Sequence, residues 1–286
     1  MRKWFFIWFS TISLSFCLGQ EVNCKLTNEK PTLNIDLVRF ISTTNLEDQS
    51  QLVQNFDQTI AQLEKIKSRK RTDYAFLKAV FYKTHSSILK DYDRLATMDQ
   101  TLTDGKFGCL TGTAIYALIL EHFGYEYNII ELPNHVFIHM TVDGNSYVYE
   151  STLPMNGFRR TTAEMENLLK QPWINHRRIS ELSTVGDWFD EKTTLPGYYS
   201  TINLEQLAGL QYFNESVKSY LKKDYISAME HVFKAYDLYP SVKNEKLMQL
   251  IINKILKYEE IKEEMRNQYL EKYVRLIKRQ KISQTK

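Results

Sequence analysis

Breakers and cross-links are scarce in this chain. Only 10 glycines and 6 prolines occur in 286 residues, too few for linkers or low-complexity tethers, so long regular elements are expected. Cysteine is scarcer, with 3 in all, which excludes a disulfide-stapled scaffold. No Cys/His cluster has the spacing of a structural zinc site, and neither a metal nor a cofactor is expected. Charge of one sign is lacking as well. The net charge is +3, without the bulk basicity of a nucleic-acid binder. The basic run from Lys65 to Arg71 and the tail from Arg275 read instead as solvated helix ends. Hydrophobic residues make up 43%, enough for a true core and too many for disorder.

No apolar run reaches the about 20 residues needed to cross a bilayer. The longest, Trp4 to Phe16, follows the positive start Met1-Arg2-Lys3 and precedes the small residues Cys17 and Gly19. That pattern reads as a signal peptide over residues 1–20, cleaved after Gly19 or Gln20, and implies a periplasmic or secreted protein with no membrane span after cleavage. Leu14-Ser15-Phe16-Cys17 has the outline of a lipid-attachment box, but the bulky Phe16 before the cysteine argues against it. Loss of Arg2 and Lys3 lowers the charge from +3 to +1, because residues 4–20 carry none. Two cysteines remain, Cys24 and Cys109.

Hydrophobic spacing organises the rest. Residues 33–98 read as helices, with Leu52, Val53, Phe56, Ile60, Leu63 and Ile66 on one face and the pattern repeated from Tyr74 to Tyr92. A further helix runs from Cys109 to Phe123, closed by Gly124. The period then changes to two, giving strands at Tyr127–Leu132, Asn134–Val142 and Tyr147–Thr152, the last two joined by a hairpin at Asp143-Gly144-Asn145-Ser146. Residues 161–171 read as helical, 172–201 have no clear period, and the chain from Leu204 onward is helical.

The chemistry concentrates in three residues. Cys109 opens a helix in Phe107-Gly108-Cys109-Leu110-Thr111-Gly112, where the helix dipole favours a thiolate. His135 starts a strand and Glu150 lies on the next. For a two- or four-residue hairpin loop, paired positions sum to 287 or 289, so Glu150 is offset by two or four places from the residue facing His135, always on the same face. His135 and Glu150 are thus within reach of one another, and beside the nucleophile Cys109 they could supply the base and the carboxylate that orients it. Each has a plainer alternative. Cys109 could be a buried thiol, or pair with Cys24 in a disulfide; His135 could be a satisfied strand-edge histidine; Glu150 could be solvated. His139 shares the face of His135 and would oppose Glu150 in the 289 register, which makes it the rival base. His85 and His122 read as structural.

From about Lys83 to Gly157, these features resemble the transglutaminase-like superfamily of cysteine enzymes: Gly108-Cys109 opening a helix, Asn134-His135-Val136-Phe137 on one strand, and Tyr149-Glu150-Ser151-Thr152 on the next. The resemblance implies an α+β, papain-like core, a cysteine-bearing helix packed on a small antiparallel sheet, with Cys109 as nucleophile, His135 as base and Glu150 as third member. It departs from the family pattern in having glutamate where aspartate is usual, Phe137 where tryptophan is common, and glycine immediately before the cysteine. Further on, Asp224-Tyr225-Ile226-Ser227-Ala228, Val232, Ala235 and Pro240 match the second half of a tetratricopeptide repeat. The expected organisation is a signal peptide (1–20), a transglutaminase-like domain with an N-terminal helical layer (30–200) and a repeat-like helical appendage (204–286). The implied function is cleavage or acyl transfer at an amide bond of a protein or peptide substrate, with the C-terminal helices as a surface for a protein partner. The alternative is a catalytically silent relative that binds peptides or partners through the same cleft.

Overall fold

A computed structural model of the chain describes residue 40 and residues 50–132, 134–163, 166–167 and 200–284. The expected leader, Cys24, Trp173 and Trp188 lie outside these residues, as does most of the helix expected at 161–171. Leu33–Lys286 forms a compact unit of its own.

Helices α1 (Ser50–Lys67) and α2 (Asp73–Ser87) form the N-terminal layer. Leu52, Phe56, Ile60 and Leu63 of α1 are buried, as the spacing predicts. Thr72 caps α2, its hydroxyl accepting from the Ala75 N–H at 3.2 Å. The helical reading of 33–98 does not extend to its end. Asp91–Tyr92 is instead a short strand, β1, paired in parallel with β2 (Lys106–Phe107), and α3 (Met98–Thr103) lies between them. The pairing brings the Asp93–Arg94 backbone against Gly108, where an added Cβ would sit 2.7 Å from the Arg94 carbonyl oxygen. That approach accounts for glycine immediately before the cysteine.

Helix α4 (Cys109–His122) is buried along nearly its whole length, Ala114 to Leu120 being fully inaccessible. It is therefore a core helix, buried on every side. Gly124, at φ +74°, ends it with a Schellman pair: its N–H donates to Glu121 and that of Tyr125 to Leu120.

The α+β character is confirmed by a five-stranded antiparallel sheet in the order β6-β5-β4-β3-β7. Its strands are β3 (Asn128–Leu132), β4 (His135–Val142), β5 (Asn145–Tyr149), β6 (Phe158–Arg160) and β7 (Ser200–Ile202). The β4–β5 hairpin turns on Asp143 and Gly144 alone, at φ 52° and 71°, the type I′ geometry that suits strand twist. Ile138 therefore pairs with Tyr149 and Val142 with Asn145, the 287 register. Because the turn takes only two residues, β5 starts at Asn145 rather than Tyr147. It also stops at Tyr149 rather than Thr152, since the Leu153 N–H closes a turn onto the Glu150 carbonyl at 3.2 Å.

An aromatic stack joins the layers behind this strand end. Phe81 of α2 lies over Tyr116 of α4 and Tyr149 of β5, with ring centroids 5.3 and 5.5 Å away. The Tyr116 hydroxyl donates to the Phe81 carbonyl at 3.1 Å, and Tyr149 donates to Leu77. Four helices complete the chain: α5 (Leu204–Leu221), α6 (Tyr225–Leu238), α7 (Val242–Lys257) and α8 (Glu263–Gln284). Leu204, Leu207, Ala208 and Leu210 of α5 pack into the main core, whereas Phe213 and Val217 belong to a second cluster with α6 and α7. Asp224 caps α6 through the Ser227 N–H at 3.0 Å, and Gly209 lets α6 approach until an added Cβ would meet Tyr239 Cβ at 2.8 Å. Among the described residues no helix is long and apolar enough to cross a membrane.

Gly112, on the buried α4, faces Ser151, and an added Cβ would lie 2.6 Å from the Ser151 Cβ. Neither the helix nor the turn after β5 has room to yield. Gly112→Ala is expected to destabilise the fold by about 1–3 kcal/mol, the usual cost of overpacking a core, read as a lowered midpoint in urea unfolding.

Candidate active site

The first turn of α4 and the adjoining ends of β4 and β5 meet at one place. Cys109 is the first residue of α4, with extended Gly108 as its N-cap. The Gly108 N–H is taken by Thr111 Oγ1 at 3.1 Å, and Thr111 in turn accepts from Thr101 at 3.0 Å. This fixes the start of the helix. A second tie joins helix to sheet, Thr113 Oγ1 donating to the Val136 carbonyl at 3.2 Å, next to His135. Cys109 is half-buried and its thiol is free. Cys24, its partner in the disulfide alternative, lies outside the described residues.

His135 joins the two other candidates. One ring nitrogen, Nε2, lies 2.5 Å from Glu150 Oε2, and the ring also hydrogen-bonds the Cys109 side chain. With Nε2 on the carboxylate, Nδ1 is the ring nitrogen left for sulfur. Glu150 is 8% exposed and its other oxygen is occupied, Oε1 accepting from the Thr152 N–H at 3.0 Å and the Thr152 hydroxyl at 2.7 Å. The carboxylate is thereby held from both sides. The β4–β5 ladder ends at the Ile138–Tyr149 pair, and Glu150, the next residue, reaches His135 obliquely from the strand end. The extra methylene of glutamate suits that reach.

Electrostatics follow from the contacts. Burial pushes the His135 pKa down, but hydrogen bonds to Cys109 and Glu150, with their charges, more than reverse this and raise it to about 10. Burial works to raise the Glu150 carboxyl, and contact with His135 and with Thr152 overcomes it, leaving the pKa below the ordinary value. The imidazolium and the carboxylate therefore stabilise one another.

The rival histidine is placed otherwise. His139 pairs with Val148, not Glu150, and burial lowers its pKa. His85 is buried, with Nδ1 3.4 Å from the Leu89 carbonyl, and His122 meets Glu64 at 3.1 Å on the surface. Among the described residues no group of three or more His, Cys, Asp or Glu side chains converges as a metal site requires.

The sulfur and the imidazole open on a cleft of about 480 Å³, its mouth included. Leu132 and Val136 supply part of its wall, and Arg94 and Glu131 bring charge. The sequence reading missed the rest. Leu210, Phe213 and Asn214 of α5 and Lys243 of α7 also line it, residues that only tertiary packing brings near Cys109. Thr152 was legible in principle, because a hydroxyl two residues after a carboxylate is a recurrent local turn partner. The C-terminal helices thus wall the cleft as well as packing against the core.

No protein-family model, curated protein or solved structure matches the chain. The class of the site rests on its geometry.

Loss of the carboxylate should release the imidazole. In an NMR titration, the His135 ring is expected to remain protonated at pH 8, and in Glu150→Gln its midpoint should fall toward the ordinary value near 6.5. An unchanged midpoint in Glu150→Gln would separate the two groups. The sign for stability follows: the raised His135 contributes fully below its unfolded value and is lost as the pH rises toward about 10.

Proposed function

We propose that the protein is an exported cysteine enzyme of the transglutaminase-like type, acting on amide bonds of a protein or peptide through Cys109, His135 and Glu150. The observation that carries this reading is the His135 ring between Cys109 and Glu150. Support comes also from the setting, a cysteine at the start of a core helix against an antiparallel sheet, as a papain-like core would have. The repeat-like α5–α6 pair is read as a relative of the tetratricopeptide unit, consistent with the Asp224 cap and the close approach at Gly209.

In this mechanism Cys109 and His135 rest as a thiolate–imidazolium pair, and the sulfur attacks the substrate carbonyl carbon. The carbonyl electrons move onto oxygen, and the oxyanion is stabilised by the Cys109 N–H and the N-terminal end of α4. As the C–N bond breaks, His135 gives its proton to the leaving amine, leaving a thioester. Its raised pKa keeps the ring in the protonated form that this step consumes. Water, deprotonated by His135, then attacks the thioester and expels the thiolate, which restores the resting pair with the proton on His135; a second amine in place of water gives transamidation. Glu150 keeps the ring oriented throughout and stabilises its positive charge.

One observation favours a second reading, a silent binding module: the cleft is walled by helices that take no part in the chemistry. Reactivity separates the two. Iodoacetamide at neutral pH should label Cys109 faster than Cys24 in the native protein, and His135→Ala should slow labelling of Cys109 severalfold. Equal labelling of both cysteines, unchanged by His135→Ala, would overturn the enzyme and leave the binding module.

A further inference from the structure

Helix α5 turns one face to the cleft. Leu210, Phe213 and Asn214, spaced i, i+3 and i+4, all line it. The first two are buried and apolar; Asn214 is polar and half-buried. It lies in the interior of an 18-residue helix, where asparagine is a poor helix former because its amide competes for backbone groups. It serves no cap, since the N-cap of α5 is Asn203. Among the described residues the Asn214 amide takes part in no hydrogen bond.

The other polar side chains of the wall are already engaged. Glu131 Oε2 accepts from the Tyr239 hydroxyl at 2.7 Å and from Ser200 at 3.1 Å. The His135 ring is held between Cys109 and Glu150. Arg94, Asn134 and Lys243 each have a partner within the protein. Asn214 therefore stands apart as a neutral group with a donor, Nδ2, and an acceptor, Oδ1, at the edge of the space that Cys109 also borders. Beside Leu210 and Phe213, a hydrogen bond made by this amide meets less competition from water.

An extended peptide suits such a group. In a strand the N–H and C=O of one residue point to the same side, which is how two residues exchange a pair of hydrogen bonds across an antiparallel ladder. An asparagine side chain carries the same donor and acceptor on one carbon. We infer that Asn214 is a substrate-binding residue, its Nδ2 donating to the carbonyl and its Oδ1 accepting from the N–H of one residue of an extended peptide laid beside Cys109. The cleft then takes a bond within a peptide main chain in preference to an isolated amide. The inference rests on the cysteine-enzyme reading for the bond attacked, and not for the binding of the peptide.

Three alkylating agents that share one reactive group test this on the intact protein. They are acetyl-Ala-Ala chloromethyl ketone, its analogue with an ester oxygen in place of the N–H of the acetylated residue, and chloroacetone, which has no peptide group. Dividing each rate at Cys109 by that of chloroacetone cancels any change in the thiol itself. Asn214→Leu should lower the ratio for the peptide reagent by about tenfold, the net worth of two neutral hydrogen bonds. The nearly isosteric Asn214→Asp, which keeps the acceptors and loses the donor, should lower it severalfold. With the unsubstituted protein the ester analogue should lag the peptide severalfold, and the lag should vanish in Asn214→Leu. A peptide ratio unmoved in either variant overturns the inference, as does a lag that persists in Asn214→Leu. If Cys109 proves inert to all three reagents, the enzyme reading fails and binding alone decides. Saturation-transfer NMR would then follow acetyl-Ala-Ala methylamide on Cys109→Ala. Binding that is lost when Asn214→Leu is added upholds the peptide site; binding that persists, or none, overturns it.

Discussion

The contact between His135 and Glu150 is the constraint on which the site depends. A carboxylate that is 8% exposed is costly unless paired, and an imidazole losing its water is equally disfavoured as a cation. Together they offset the cost. Thr152 takes the other carboxylate oxygen, so Glu150 has little freedom to turn toward solvent. Geometry upstream serves this pair: a two-residue turn sets the register, and Tyr149, sealed under Phe81 and Tyr116, anchors the strand end from which Glu150 projects.

Cys109 is brought to the pair by a separate set of constraints. Gly108 admits the Asp93–Arg94 backbone, Gly112 admits Ser151, and Thr113 ties α4 to the strand carrying His135. Each is a close approach in which a larger or apolar side chain would displace the sulfur from the ring. The C-terminal helices complete the arrangement from outside. Helix α5 is shared between the main core and the second cluster, so the wall that holds Phe213 and Lys243 is continuous with the core beneath Cys109. The C-terminal helices and the start of α4 are consequently coupled through packing rather than joined by a linker.

Much of this was legible along the chain, where the signals are local. The buried positions of α1, the glycine that ends α4 and the hairpin at Asp143-Gly144 all announce themselves within a few residues. The meeting of His135 and Glu150 followed from strand parity, which any even loop preserves. What escaped reading depends on distance along the sequence. The strand at Asp91–Tyr92 exists only because Lys106–Phe107 lies beside it. Lys243 has no local feature to distinguish it from the other lysines of a solvated helix; only the folded chain brings it to the cleft.

The central claim is that Glu150 acts on Cys109 through His135 and by no other route. A double-mutant cycle on the alkylation rate of Cys109 tests it most directly, comparing the unsubstituted protein with His135→Ala, Glu150→Gln and the double variant. If the three groups form one unit, the double variant should react at the rate of His135→Ala alone, the carboxylate having nothing left to orient. If the two losses multiply instead, Glu150 influences the sulfur independently of the ring, and the account of the site given by its contacts is contradicted.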